Sequence, residues 1–209
     1  MAADPDTFYR QRVPAQWNRT LELQAALAED DPSARPMLDD MLRVEATIEV
    51  LVETGGEPHR YPLNVSAGRM TCSDEASKPP CIVLVHDLET FATLERESGD
   101  SVLGFLGTLA GQPGDMKLTS TRLQNLLALR GRARLELTGG APMDLEARFG
   151  EPAPGEPTPS CTLRIDAQAF AALREGQLAP QDAFLSGRVD VEGDMQLAMQ
   201  LALAALSPD

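Results

Sequence analysis

Residues 161–206 read CTLRIDAQAFAALREGQLAPQDAFLSGRVDVEGDMQLAMQLALAAL, and the order of elements in this stretch decides the fold. Cys161 to Ile165 predict a strand. Asp166 is placed to cap a helix over 167–175, and Gly176 to end it. Pro180 opens a second helix that runs through Leu185. Residues 188–192, RVDVE, alternate with period two and predict a strand. Asp194 then starts a last helix to about Leu206 in which only Gln196 and Gln200 form a polar stripe. A surface helix carries a wider polar face. This helix is therefore expected to be buried on most sides or to cover an apolar cavity. Met195 and Met199 suit a shape-tolerant apolar lining, although methionine also fills ordinary cores.

Working upstream, residues 132–137 (RARLEL) and 144–149 (DLEARF) alternate around Gly139-Gly140 and predict a hairpin. Residues 151–159 hold four prolines, at 152, 154, 157 and 159, and predict a surface loop. Further upstream the pattern recurs. Asp87, Phe91, Ala92 and Leu94 map onto Asp166, Phe170, Ala171 and Leu173 at a constant offset of 79 residues. The same offset carries Phe105-Leu106 onto Phe184-Leu185 and Gly114-Asp115-Met116 onto Gly193-Asp194-Met195. Thr54-Gly55-Gly56 likewise matches Thr138-Gly139-Gly140, and Cys81 matches Cys161, at slightly different offsets, as a loop insertion produces. An internal duplication is expected. The first copy predicts strands over 46–52, 60–65, 69–72 and 81–85. Helices follow over 88–95, 101–109 and 119–129, the last with Leu123, Leu126 and Leu127 inward.

The stretch Cys161 to Leu206 resembles the end of sterol carrier protein type two (SCP2-like) domains. The resemblance rests on the strand, Asp166-x-x-x-Phe170-x-x-Leu173, Gly176-x-Leu178-x-Pro180-x-x-Ala183-Phe184, Gly187, Val189-Asp190-Val191, Gly193-Asp194 and the Leu-rich helix. It extends weakly to copy one, which keeps Asp87, Phe91, Leu94 and Gly114-Asp115 but lacks the Gly-x-Leu-x-Pro segment. The resemblance implies an α/β (α+β) fold. Its largely antiparallel five-stranded sheet would be covered on one face by helices, with an apolar tunnel between them. Members bind sterols, fatty acids, acyl-CoA thioesters or isoprenoid lipids, or serve as accessory parts of larger enzymes. No catalytic residue carries over. The side chains expected to line the tunnel are Phe170, Leu173, Phe184, Leu185, Met195, Met199 and Leu203.

This reading divides the chain into an extension over 1–36, a degenerate copy over 37–129 and a lipid-binding copy over 130–209, the two copies packed as an intrachain pseudo-dimer. In the extension, Pro14 starts a helix over 14–29 with Trp17, Leu21, Ala25 and Ala28 at helical spacing, expected to pack on the core. The helix over 119–129 closes one copy and leads the next.

The composition agrees with a globular, non-catalytic protein. Of 209 residues, 43% are hydrophobic and 24% charged, as in ordinary soluble domains. The net charge is −14, which repels a phosphate backbone, so no nucleic-acid partner is expected. It also disfavours anionic membranes, leaving a membrane or an enzyme as a transient partner only. The first residues, MAADPDTFYRQRVPAQW, hold no apolar core of signal-peptide length, so a cytoplasmic protein is expected. Cys72, Cys81 and Cys161 lack metal-site spacing and are expected as free thiols, with no metal and no cofactor. His59 and His86 are the two histidines; a strand places Cys81 and His86 on opposite faces, which argues against a Cys–His pair. No phosphate-binding loop, HExxH or GxSxG motif occurs. The sequence thus points to non-catalytic carriage of a hydrophobic ligand. The alternative is a ligand-free interaction module for a lipid-metabolising enzyme.

Overall fold

A computed structural model describes residues 4–98, 117–141, 143–151, 155 and 159–206. The chain opens with a helical stretch made of α1 (Pro5–Thr7), a π-helical turn (Phe8–Arg12) and α2 (Val13–Asp30). A 3₁₀ turn (Pro32–Ala34) leads into α3 (Arg35–Leu42). Strands β1 (Ala46–Glu53), β2 (His59–Ser66), β3 (Arg69–Cys72) and β4 (Ile82–Asp87) precede α4 (Leu88–Ser98). Then come α5 (Ser120–Ala128), β5 (Gly131–Thr138), β6 (Met143–Phe149), β7 (Cys161–Asp166) and α6 (Ala167–Arg174). The last elements are α7 (Pro180–Leu185), β8 (Val189–Gly193) and α8 (Met195–Leu206).

The helical stretch begins nine residues before the expected start at Pro14. An interior proline clashes with the carbonyl four residues earlier and removes a donor. Here the wide turn ahead of it, closed by the Val13 N–H on the Phe8 carbonyl, makes room for the Pro14 ring, so the helix continues through it. The expected helix over 101–109 and the matches at Phe105-Leu106 and Gly114–Met116 lie outside the described residues.

The sheet departs from the expected five strands. It has eight, in the order β3-β2-β1-β4-β6-β5-β7-β8. Five neighbour pairs are antiparallel; β1–β4 and β5–β7 are parallel. The pairing series antiparallel, antiparallel, parallel, antiparallel occurs twice. It runs once along β3-β2-β1-β4-β6 and once along β4-β6-β5-β7-β8, so β4 and β6 belong to both. The physical reason for the merger is edge satisfaction. β4 and β6 would each end a smaller sheet with unpaired backbone groups, and they pair with each other through Val83–Val85 and Glu146–Arg148.

The registers place Val50, Tyr61, Leu84, Ala147, Ala133, Cys161 and Gly193 in one row across the sheet, from β2 to β8. This face is apolar apart from the buried His86 of β4 and the exposed His59 at the end of β2, and the helices pack on it in one core that includes Phe8, Phe91, Phe149, Phe170, Leu173 and Leu197. The opposite face is polar outside the centre of the sheet, where Leu51, Val83 and Val85 lie. It pairs Arg60 with Glu49, Arg148 with Glu146, and Arg134 with Asp144 at 3.3 Å. Arg164 bridges Glu136 at 2.8 Å and Glu192 at 2.6 Å. Period-two alternation in β5, β6, β7 and β8 is what a sheet covered on one side requires, while β4 in the centre is apolar on both faces.

Two details differ from the sequence reading. Leu127 of α5 is exposed, and the inward position on that helix is taken by Arg122, which is buried and donates to the Lys117 carbonyl. At the other end of the sheet, α2 covers the edge strand β3. The Asn18 side chain donates to the Met70 carbonyl at 3.0 Å and accepts from its N–H at 2.9 Å, and the Trp17 indole donates to the Gly68 carbonyl at 2.8 Å.

Candidate functional site

The candidate site is built by β7, α6, α7, β8 and α8. Asp166 ends β7 with an extended backbone, and its carboxylate accepts from the N–H groups of Gln168 at 2.9 Å and Ala169 at 2.8 Å. This starts α6 in the orientation that turns Phe170 and Leu173 onto the sheet, where both are buried. Gly176, at φ 68°, stops the helix in the left-handed conformation that glycine adopts freely, while the Gln177 and Leu178 amides take up the Ala172 carbonyl. Pro180 is pre-set for the first turn of α7.

After β8 the chain passes very close to the start of β7. A Cβ on Gly193 would sit 2.4 Å from the Ser160 carbonyl oxygen, and the Asp194 N–H donates to that oxygen at 2.8 Å. Only glycine allows this approach. Asp194 then caps α8 through the Leu197 N–H at 3.0 Å. The result lays α8 over β5, β7 and β8 with Leu197, Ala198 and Ala204 inward.

The seven candidate lining residues therefore fall into two groups. Phe170 and Leu173 lie between α6 and the sheet. Phe184 (46% exposed), Leu185 (81%), Met195 (41%), Met199 (61%) and Leu203 (64%) are on the outer side of α7 and α8. Met195, Met199 and Leu203 stand four residues apart, so they form one stripe down α8. Packing on the sheet takes only the opposite side of this nearly all-apolar helix. These three side chains make a contiguous exposed apolar stripe, a feature enriched at sites of apolar contact.

The N-terminal half also has an Asp-capped helix with a buried Phe and Leu after a parallel-paired strand, and its surroundings are filled differently. Asp87 ends β4 beside Glu53, as Asp166 ends β7 beside Thr138. Its carboxylate accepts from the Thr90 N–H at 2.7 Å and caps α4, which buries Phe91 and Leu94 where α6 buries Phe170 and Leu173. Against Phe91 lie the rings of the N-terminal π-helical turn. Phe8 meets Phe91 edge-on at 5.3 Å, Tyr9 lies 5.8 Å from Phe91, and Tyr61 lies 5.1 Å from Tyr9. His86 stacks on Phe91 at 6.2 Å.

His86 is the one buried histidine among the described residues. Its Nδ1 donates to the Asp87 carbonyl at 2.9 Å, so Nε2 accepts, and the Tyr9 hydroxyl donates to it at 2.7 Å. Burial lowers the His86 pKa and raises that of Tyr9. The pair is a satisfied, neutral, structural contact. Sequence reading missed it because Phe8 and Tyr9 are adjacent and lie ahead of Pro14, outside any helical spacing it could use.

The cysteines are free thiols; burial pushes those of Cys81 and Cys161 up to about 11. The described residues contain no group of three or more His, Cys, Asp or Glu side chains that could hold a metal ion. None of their helices is long and apolar enough to cross a membrane.

No curated protein matches the chain. Solved structures similar to it include sterol carrier protein 2 like 2 from Aedes aegypti, at 20% identity over 35% of this chain and 71% of that one, with a TM-score of 0.28. The sterol carrier protein domain 2 of Helicoverpa armigera matches at 18% identity over 56% and 83%, TM-score 0.27. Sterol carrier protein 2 from Yarrowia lipolytica matches at 14% over 54% and 94%, TM-score 0.31. Superpositions this loose decide neither fold nor site. The sequence match is the sharper finding: residues 115–205, from just before α5 to the end of α8, match the SCP-2 sterol transfer family.

Proposed function

We propose that this protein binds or transfers a hydrophobic ligand (a sterol, fatty acid, acyl-CoA or isoprenoid lipid) through its C-terminal half, without catalysing a reaction on it, in the cytoplasm. The observation that carries this reading is the SCP-2 sterol transfer match over residues 115–205. The apolar content of α8 and the exposed stripe of Met195, Met199 and Leu203 support it. A lipid chain leaving water gains about 0.8 kcal/mol per CH₂, so an apolar contact surface with few polar groups suffices for affinity. In this reading the ligand would enter between α6, α7 and α8 above Phe170 and Leu173; Phe184, Leu185, Met195, Met199 and Leu203 lie on the outer side of α7 and α8 in this structure and would have to turn inward to contact it.

The two halves are copies of one unit in this reading. The repeated pairing series supports that, as do the equivalent positions of Asp87 and Asp166, Phe91 and Phe170, and Leu94 and Leu173. The first copy is filled by Phe8 and Tyr9 of its own chain, so one ligand per chain is expected. Native mass spectrometry of the purified protein tests this, with denaturing extraction of whatever is bound. One lipid per chain is the expected result. A ligand at a hundred times its Kd stabilises by about 2.7 kcal/mol, visible as a thermal shift. An apo mass together with no shift from fatty acid, acyl-CoA, sterol or quinone would overturn the reading. A second reading, an interaction module for a lipid-metabolising enzyme, is favoured by one observation: the sheet edge beside this apolar surface has no partner among the described residues.

A further inference from the structure

The two edges of the sheet are treated differently. β3 is sealed by Asn18, which occupies both backbone groups of Met70. β8 forms the other edge. Its hydrogen bonds run to β7, and no described residue bonds to its outer side. Natural sheets blunt such an edge or use it.

The side chains of β8 state what would fit. Val189 and Val191 stand opposite Ile165 and Leu163, on the apolar face. Asp190 and Glu192 stand on the polar face and are well exposed, with Arg164 as their one described cation. Exposed apolar side chains bracket the strand: Phe184 and Leu185 end α7 just before it, and Met195 begins α8 just after it. A second copy of this chain fits poorly. An antiparallel pairing of two β8 strands centred on Val191, the register that keeps the helices on one face and pairs the most residues, sets Asp190 opposite Glu192 on both sides, and like charges directly opposite destabilise.

We propose that the open edge of β8 is a docking site for an extended segment of a partner protein that alternates apolar and basic residues. The segment adds a ninth, antiparallel strand. Its apolar side chains continue the row of Val189 and Val191 and cover Leu185 and Met195; its Lys or Arg side chains face Asp190 and Glu192. Main-chain hydrogen bonds supply affinity, and the alternation supplies choice of partner. The site does not depend on the lipid-carrier reading, since it requires no cavity.

The test uses the full chain and fluorescence anisotropy with a labelled octapeptide alternating Val and Lys. Binding is expected, with slowed amide exchange confined to β8. N-methylation of alternate peptide nitrogens, which removes the ladder and keeps the charge, should weaken it about tenfold or more. Asp190→Lys/Glu192→Lys should reverse the preference to an alternating Val-Glu peptide. Glu29→Lys/Asp30→Lys, the same charge change at an exposed remote site, should leave it intact. The proposal is overturned by absence of binding, by N-methylation having no effect, or by equal loss in the two charge variants. It is equally overturned if light scattering shows that a second copy occupies the β8 edge. Fatty-acid thermal shifts on the same samples report separately on the lipid reading.

Discussion

Removing one oxygen atom from the Tyr9–His86 contact tests how the N-terminal half is closed. Tyr9→Phe keeps the ring that packs against Phe8 at 5.0 Å and Tyr61 at 5.1 Å, and deletes only the hydroxyl that donates to Nε2 of His86. His86 is left with a buried, unsatisfied acceptor, which costs about 1–3 kcal/mol. In a chain of this length that lowers Tm by about 2–4 °C per kcal/mol. Replacing both partners, Tyr9→Phe/His86→Leu, removes the unsatisfied group and should recover most of the loss. The contact also has a pH signature. Burial holds His86 below its ordinary value of 6.5 in the folded state, so the unfolded chain binds more protons. Its contribution is complete above pH 6.5 and is lost as pH falls toward and through the folded value, with a slope of up to about 1.4 kcal/mol per pH unit. Asp31, Glu45 and Asp87, all held below their ordinary values of 3.8 to 4.5, add to acid loss at lower pH. The window between pH 5 and 6.5 therefore reports chiefly on His86. Urea melts of the four proteins of the double-mutant cycle, each at pH 5, 6 and 7.5, measure this. A Tyr9→Phe cost under about 0.5 kcal/mol, or a pH slope that survives in the double variant, would refute the reasoning.

The other expectations concern the two halves and the sheet edge. Phe91→Ala and Phe170→Ala, at equivalent buried positions, should each cost about 3–5 kcal/mol in denaturant melts; a large difference would break the equivalence of α4 and α6. Met199→Ser and Leu203→Ser should change stability by no more than about 0.5 kcal/mol, whereas Leu197→Ala on the inner side of α8 should cost about 2–5 kcal/mol. Asn18→Ala uncovers Met70 on β3 and should promote concentration-dependent association, read by light scattering. With a thiol reagent at pH 8, half-buried Cys72 should label first, while Cys81 and Cys161 stay protected until the chain unfolds.

Local elements were legible wherever one face of an element meets water and the other the core. The alternation in RARLEL and DLEARF gave the β5–β6 hairpin, and Asp166, Gly176 and Pro180 marked the limits of α6 and the start of α7 to within a residue, because caps and breakers act through the nearest backbone groups. The family resemblance, read from residues 161–206, also needed only local order and spacing. For the candidate site, local spacing fixed only that Phe170 and Leu173 turn inward under α6; a stripe such as Met195, Met199 and Leu203 says that a surface is apolar without saying what covers it.

What the amino-acid sequence determined by itself is thus the succession of strands and most helices, though not α3 or the helical turns ahead of Pro14, together with the repeat of Asp, Phe and Leu in two halves and a C-terminal half of SCP2-like pattern. Tertiary structure alone decided the rest. β4 pairs with β6 more than 55 residues away, merging the two halves into one eight-stranded sheet. Phe8 and Tyr9 reach across the chain to His86, 77 residues from Tyr9, and fill the first half. α2 covers the outer edge of β3 at Met70, while the outer edge of β8 has no partner among the described residues. Each of these is a choice of partner between distant segments. Periodicity records only which groups must be satisfied; which distant group satisfies them is settled by how the whole chain packs.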